Sequence, residues 1–350
     1  MLSFEEEINL FYSQKKINKN CEKILELLDE KNDLEYLAKE SQRLTKQYFG
    51  SAIKLFTPLY ISNYCTNGCV YCSFRRENKI VRKQLNERQI HEQCERIAKT
   101  GLRQILVLTG EASKFTTFEY VKNSLKIISQ YFSSLNVEIY PLEIERYKIL
   151  SEEIGVDGVT MYQETYNRKL YEKYHLFGKK KDYLWRLNGL ARASEAGMRN
   201  VQLGALLGLD DPKTELLALA LHIDWLQKNF PETDVSVSFP RIRPIENGAK
   251  YDFFEVSDKF YARIIASFRI VYPNLSITLS TRETKKMRNG LLNFGITKIS
   301  AGVSTAVGES KDSGSQFEIA DERSVDEICR YLTENEFQAV FHDWNFELLR

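Results

Sequence analysis

The chain has 350 residues and a formal charge of +1, from 49 basic and 48 acidic side chains. That balance leaves no electrostatic footprint for nucleic acid, and no apolar run approaches the roughly 18 residues that span a bilayer. With 43% hydrophobic residues the chain can bury a sizeable core, either as two small domains or as one large α/β barrel.

The opening MLSFEEEINL is acidic and lacks the basic and apolar regions of a secretory signal. Clustered thiols in such a chain indicate a reducing cytoplasm, not disulfides. Residues 3–48 contain no Gly or Pro, and group Ile24, Leu25, Leu27 and Leu28, then Leu34, Tyr36 and Leu37, between charged residues. This pattern predicts amphipathic helices.

From Phe56 onward, β-rich runs alternate with longer amphipathic stretches. The predicted strands are 57–63, 104–110, 136–142, 158–165, 200–208, 234–240, 275–281 and 297–302. Helices are predicted at Glu87 to Lys99, Phe118 to Tyr131 and Asp258 to Val271, the last with Ser257 as its cap. Eight strands alternating with helices predict a parallel (β/α)8 barrel of the TIM type, with an open doubly wound sheet as runner-up. The expected division is an N-terminal helical extension over 1–50, the barrel over 51–310, and a C-terminal segment packing on it over 311–350.

A barrel gathers its active site at the C-terminal ends of its strands. There the sequence places YCTNGCVYCSF, with Cys65, Cys69 and Cys72 spaced C-x3-C-x2-C, just after the first strand. Three thiolates fall one ligand short of a closed structural site. A zinc knuckle would need a fourth ligand, and no Cys or His stands at a suitable short spacing. Gly110 and Glu111 close the second strand, where a glycine lets the backbone approach a ligand and the carboxylate can accept from an ammonium. Gln163, Glu164 and Tyr166 close the fourth, either entering solvent or facing a ligand. Arg241, Arg243 and Arg282 follow the sixth and seventh, each a carboxylate clamp or a structural partner of a Glu. Lys179 to Lys181 read as solvated surface. His222 lies in an apolar run and reads as packed; His175 is the better functional candidate. The four histidines form no metal-ligand spacing.

The C-x3-C-x2-C loop resembles the cluster loop of radical S-adenosylmethionine (SAM) enzymes. TPLYISNYCTNGCVYCSF, VLTGEAS, VEIYPLEIERY, GVTMYQETYN, VQLGALLGL, SFPRIRP, LSTRE and SAGVST, followed by SQFEIADERSVDEI and AVFHDWNFE, together resemble the 2-iminoacetate synthase (ThiH) family. These are the radical SAM tyrosine lyases of thiamine biosynthesis. The resemblance implies a radical SAM barrel. It implies a [4Fe–4S] cluster on Cys65, Cys69 and Cys72, with SAM chelating the fourth iron. It implies SAM contacts at Tyr71, Gly110, Glu111, Glu164 and Arg186, and a substrate pocket with Tyr60, Arg282 and Ser300.

The implied reaction uses a 5′-deoxyadenosyl radical to take hydrogen from the amino group of L-tyrosine. The Cα–Cβ bond then breaks, giving 2-iminoacetate (dehydroglycine) and p-cresol. The implied partners are thiazole synthase (ThiG) and an electron donor such as flavodoxin or ferredoxin. The chain departs from the family pattern at Ser73, usually Gly, at Gly178–Lys179–Lys180, usually G-P-K, and in SAGVSTAVGES. Rival readings are the hydrogenase-maturation tyrosine lyase, which carries a second C-terminal cluster where this chain offers only Cys329, and tryptophan lyase. A non-catalytic metal-binding or redox-sensing protein would not need the strand-end SAM motifs.

Overall fold

The computed structural model describes residues 2–112, 114–243, 245, 251–309 and 314–341. Pro244 of SFPRIRP, His342 and the HDWNFE stretch lie outside them.

Three helices lead the chain: α1 (Phe4–Gln14), α2 (Lys19–Leu27) and α3 (Leu34–Phe49). Each starts on a side-chain cap, Ser3, Asn18 or Asp33, that accepts from an otherwise orphaned backbone N–H. Phe4, Ile8 and Phe11 form the buried stripe of α1. Phe4 stacks on His222 of the Pro212–Asn229 helix at 4.1 Å between ring centroids. Burying such a side chain contributes about 2 kcal/mol. The buried Arg263 guanidinium donates to the carbonyls of Leu27, Asp29 and Asn32, joining the end of α2 to the Asp258–Val271 helix.

Among the described residues nine strands follow: β1 (Ala52–Ser62), β2 (Gln104–Thr109), β3 (Ser134–Glu138), β4 (Gly158–Glu164), β5 (Asn200–Ala205), β6 (Asp234–Ser238), β7 (Ser276–Leu279), β8 (Lys298–Ser300) and β9 (Gln338–Val340). β1 pairs in parallel with both β2 and β8, which closes the first eight strands into a (β/α)8 barrel and rules out the open sheet. The predicted strands are all present, though several stop earlier than their apolar runs. β1 begins at Ala52, five residues before its predicted start, because its first residues pair with β9. That ninth strand, QAV, is too short to stand out in the sequence.

Two register shifts shape the rim. One lies between Tyr60 and Ser62, just before the cysteine loop; the other lies between Tyr162 and Glu164. Such bulges redirect side chains at the end of a strand. Glu164 adopts φ +70°, a left-handed conformation that is costly for a non-glycine residue and tends to occur at functional sites.

Candidate active site

The cysteine loop is held from three sides. The Thr66 N–H donates to the Glu111 carbonyl (2.8 Å), tying it to the end of β2. The Gly68 and Val70 N–H groups donate to Phe177 and Tyr174 (3.0 and 3.1 Å). The Arg82 guanidinium donates to the carbonyls of Asn63, Phe74 and Arg75 at 2.7–2.8 Å. Gly110 allows the loop's close approach: a Cβ there would lie 2.4 Å from the Tyr64 carbonyl oxygen.

One cavity at the C-terminal end of the barrel, about 1350 Å³ including its open mouth, gathers every predicted site residue. Cys65, Cys69 and Cys72 line it, with Tyr71, Gly110, Glu111, Glu164 and Arg186, and with Tyr60, Arg282 and Ser300. All three cysteines are free thiols. Among the described residues no three His, Cys, Asp or Glu side chains converge to hold a single metal ion. Three thiols of one loop lining one cavity suit ligands to the irons of a cluster. Burial pushes the thiols of Cys69 and Cys72 up to about 12 and about 11, so loading a cluster must displace their protons.

On the β2 side, the Glu111 carboxylate accepts from Asn67 Nδ2 (2.7 Å). On the β4 side, Glu164 accepts from Lys180 Nζ (2.7 Å), with Arg186 at 3.7 Å. Burial alone would raise the Glu164 carboxyl, but Lys180 and Arg186 outweigh it and hold it below the usual range. Arg186 also donates through Nε to the Tyr162 carbonyl (2.7 Å). Tyr71 meets His175 Nε2 at 2.7 Å, while His175 Nδ1 lies 2.8 Å from the Tyr171 carbonyl. Since that carbonyl only accepts, Nδ1 carries the proton and the Tyr71 hydroxyl donates to Nε2. Burial lowers the imidazole to about 3, which keeps it neutral.

On the opposite side, Tyr60 Oη donates to Gln316 Oε1 (2.6 Å). The Arg282 guanidinium lies over the Phe317 ring at 3.7 Å and donates to no side chain among the described residues. Buried Ser300 Oγ has no hydrogen-bond partner among the described residues. Arg241 and Arg243, by contrast, both pair with buried Glu283, and Arg241 also pairs with Asp258 (2.8 Å). They are the structural clamps, and Arg282 is the arginine left facing the cavity.

Sequence reasoning missed several lining residues. Lys180 is not solvated surface: the short Lys179–Lys181 turn exposes its neighbours and directs its ammonium onto Glu164. Glu138 and Tyr162 face inward from β3 and β4, and Gln316 reaches the rim from beyond the last barrel strand. A lone carboxylate closing the strand of VEIYPL was the one available signal for Glu138. His222 is packed as expected, with Tyr166 Oη 2.8 Å from its Nδ1. His175 stands behind Tyr71 and does not line the cavity.

Two family models match the chain: the Radical SAM superfamily over residues 59–223 and the Biotin and Thiamin Synthesis associated domain over residues 238–338. The 2-iminoacetate synthase of Salmonella typhimurium is 37% identical over 89% of this chain and 83% of its own length. That of Escherichia coli is 36% identical over 91% of this chain and 85% of its own. Among solved structures, HydG, a maturase of the [FeFe]-hydrogenase, superposes with a TM-score of 0.89 at 32% identity, covering 99% of this chain and 82% of HydG.

Proposed function

The chain belongs to the 2-iminoacetate synthase family of the radical SAM superfamily, and from that premise we propose what each group in its cavity does. The protein is a radical SAM carbon–carbon lyase that uses a [4Fe–4S] cluster and SAM. It cleaves the Cα–Cβ bond of L-tyrosine to 2-iminoacetate and p-cresol. When bound, the cluster and SAM supply the radical that removes hydrogen from the substrate's amino group.

Cys65, Cys69 and Cys72 hold the cluster, with Arg82 and the Thr66–Glu111 contact fixing the loop that presents them. Glu111 receives the methionine ammonium of SAM, and Gly110 lets the cysteine loop pack close beside it. Glu164, kept ionised by Lys180 and Arg186, presents an acceptor to the ribose or the amino-acid end. Tyr71, fixed by His175, borders the nucleoside. Arg282, Tyr60 and Ser300 receive the tyrosine carboxylate.

The observation that carries this reading is the meeting of three free thiols and an uncommitted arginine in one cavity. A guanidinium lining the cavity with no acceptor among the described residues suits a substrate carboxylate. The second reading, hydrogenase maturation, draws on the HydG superposition. It has no matching cysteine set in the described C-terminal residues, where only Cys329 occurs.

Thiazole synthase is the proposed acceptor of 2-iminoacetate, a reactive imine that needs a short path to its consumer. An acidic electron carrier such as flavodoxin or ferredoxin is the proposed reductant. Exposed Arg76, Lys79, Lys179 and Lys181 flank the cysteine loop in a chain of net charge +1, and this favours a partner of opposite sign. The test of the main reading is an anaerobic assay of reconstituted protein with SAM, reductant and L-tyrosine. 5′-Deoxyadenosine and p-cresol should rise together and only with tyrosine. Deoxyadenosine without p-cresol would contradict the tyrosine assignment.

A further inference from the structure

Three carboxylates line the cavity, and two are engaged. Glu111 accepts from Asn67, and Glu164 accepts from Lys180. The third, Glu138, accepts no side-chain hydrogen bond and forms no ion pair among the described residues. A half-buried carboxylate with no partner is costly unless something that enters the site completes it.

Register fixes where Glu138 stands. It pairs with Leu108 of β2, which pairs with Tyr60 of β1, so the three share one inward-facing layer. In the strand order β2-β3-β4-β5-β6-β7-β8-β1, β3 and β7 are four strands apart, on opposite sides of an eight-stranded barrel. Arg282 follows β7. Glu138 and Arg282 both line the one cavity at the strand ends. An amino acid held at Arg282 by its carboxylate therefore extends its side chain towards β3. Of the other polar groups there, Gln202 Nε2 donates to Tyr162 Oη (3.1 Å) and Thr278 Oγ1 donates to Gln202 Oε1 (2.8 Å), while the Thr109 hydroxyl at the end of β2 has no partner among the described residues.

We propose that Glu138 receives the phenol hydroxyl of the substrate and thereby selects tyrosine over aromatic amino acids that lack this donor. The inference rests on the tyrosine-lyase reading and on Arg282 as the carboxylate anchor. The alternative, a contact with the substrate ammonium, would hold protonated the amine from which hydrogen is taken. The surroundings suit a phenol. Burial, then repulsion from Glu164, raises the Glu138 carboxyl to about 7, against the pull of Arg282, Lys180 and Arg186. Tyr60 and Tyr162 also face it. In either protonation state the group retains an acceptor oxygen for a phenolic O–H. A site built to pair with a hydroxyl also penalises the analogue that lacks one, because the carboxyl is then left unsatisfied.

The test compares L-tyrosine with L-phenylalanine, which differs only in lacking the phenol oxygen. With reconstituted holoenzyme, SAM and reductant under anaerobic conditions, the tyrosine KM is read from p-cresol release. The phenylalanine inhibition constant is read from the same assay. Wild-type p-cresol release controls for the lyase reading, and Glu138 is judged on variant-to-wild-type ratios. Glu138→Leu should raise the tyrosine KM about tenfold or more while tightening phenylalanine inhibition, since no carboxyl is left unpaired, and leaving SAM affinity unchanged. Glu138→Gln keeps both shape and an acceptor, and should stay within about threefold of wild type for both ligands. If leucine disturbs the packing, as a loss of SAM binding would show, Glu138→Ala takes its place with the same expectation. Equal losses for tyrosine and phenylalanine, or no change for either, would overturn the proposal.

Discussion

Arg241, Arg243 and Arg282 each follow a strand, yet only one of them is free to hold a substrate. The sequence could not separate them, because each stands within a few residues of a carboxylate or an aromatic ring. The difference lies in Glu283, which is buried and takes both Arg241 and Arg243. That leaves the Arg282 guanidinium on Phe317, with its donors directed into the cavity. Arg282→Ala should raise the tyrosine KM roughly 10- to 100-fold, the effect of losing about 1.5–3 kcal/mol of charge-assisted hydrogen bonding. It should also lower the yield of p-cresol per deoxyadenosine, since a loosely held substrate is less well aimed. Unchanged tyrosine dependence would remove Arg282 from the pocket. Lys180 teaches the converse lesson: a lysine run looks solvated, and only the turn around it shows that one of the three points inward.

At the scale of elements, the barrel was legible because its strands are apolar runs ending in polar residues and its helices carry ordinary caps. Ser257 caps the Asp258–Val271 helix where its hydroxyl was expected to. A C-terminal segment packing on the barrel was expected, but the contacts that attach it were not legible. The attachment depends on β9, three residues long, and on a buried ion cluster in which Arg288 meets Asp321, itself paired with Arg323, from 33 residues away. Asp321 pairs there with Arg288 (2.5 Å) and Arg323 (2.6 Å), and Arg288 also donates to the Ser300 carbonyl. This cluster ties the C-terminal segment to the strand that carries Ser300. Burial alone would raise the Asp321 carboxyl, but Arg323 and Arg288 hold it at about 2, below its ordinary 3.8. A carboxyl lowered on folding stabilises above its unfolded pKa, and that stability is lost as pH falls through the folded value. The shift corresponds to about 2 kcal/mol at pH 7 and to roughly half that at pH 3. Asp321→Asn should therefore unfold at lower denaturant concentration at pH 7, with a deficit of at least about 2 kcal/mol that narrows at pH 3. A deficit independent of pH would show that the ion cluster is not its source.

For the whole molecule, the barrel brings residues from positions 60 to 317 to one rim, so that the cysteine loop, the proposed SAM contacts and the proposed amino-acid pocket become walls of one cavity. The thiols, Gly110, Glu111 and Arg282 were readable because their residue types announce their chemistry. Glu138, Tyr162 and Gln316 were not, because their roles come only from the direction in which each strand end or returning segment faces. The three-part division, with helices over 1–50 and a closing segment over 311–350, remains our reading of how the chain is built around that cavity. The charge around the cysteine loop supports an acidic reductant on the same side.

The central claim is that this cavity splits tyrosine between Cα and Cβ and releases the small fragment intact. The most direct measurement follows a single anaerobic turnover of L-tyrosine carrying carbon-13 at Cα alone, with SAM and reductant. Mass spectrometry should find the label in 2-iminoacetate, recovered as glyoxylate after hydrolysis of the imine, and none in p-cresol. Label appearing in p-cresol, or in cyanide in place of glyoxylate, would contradict the account.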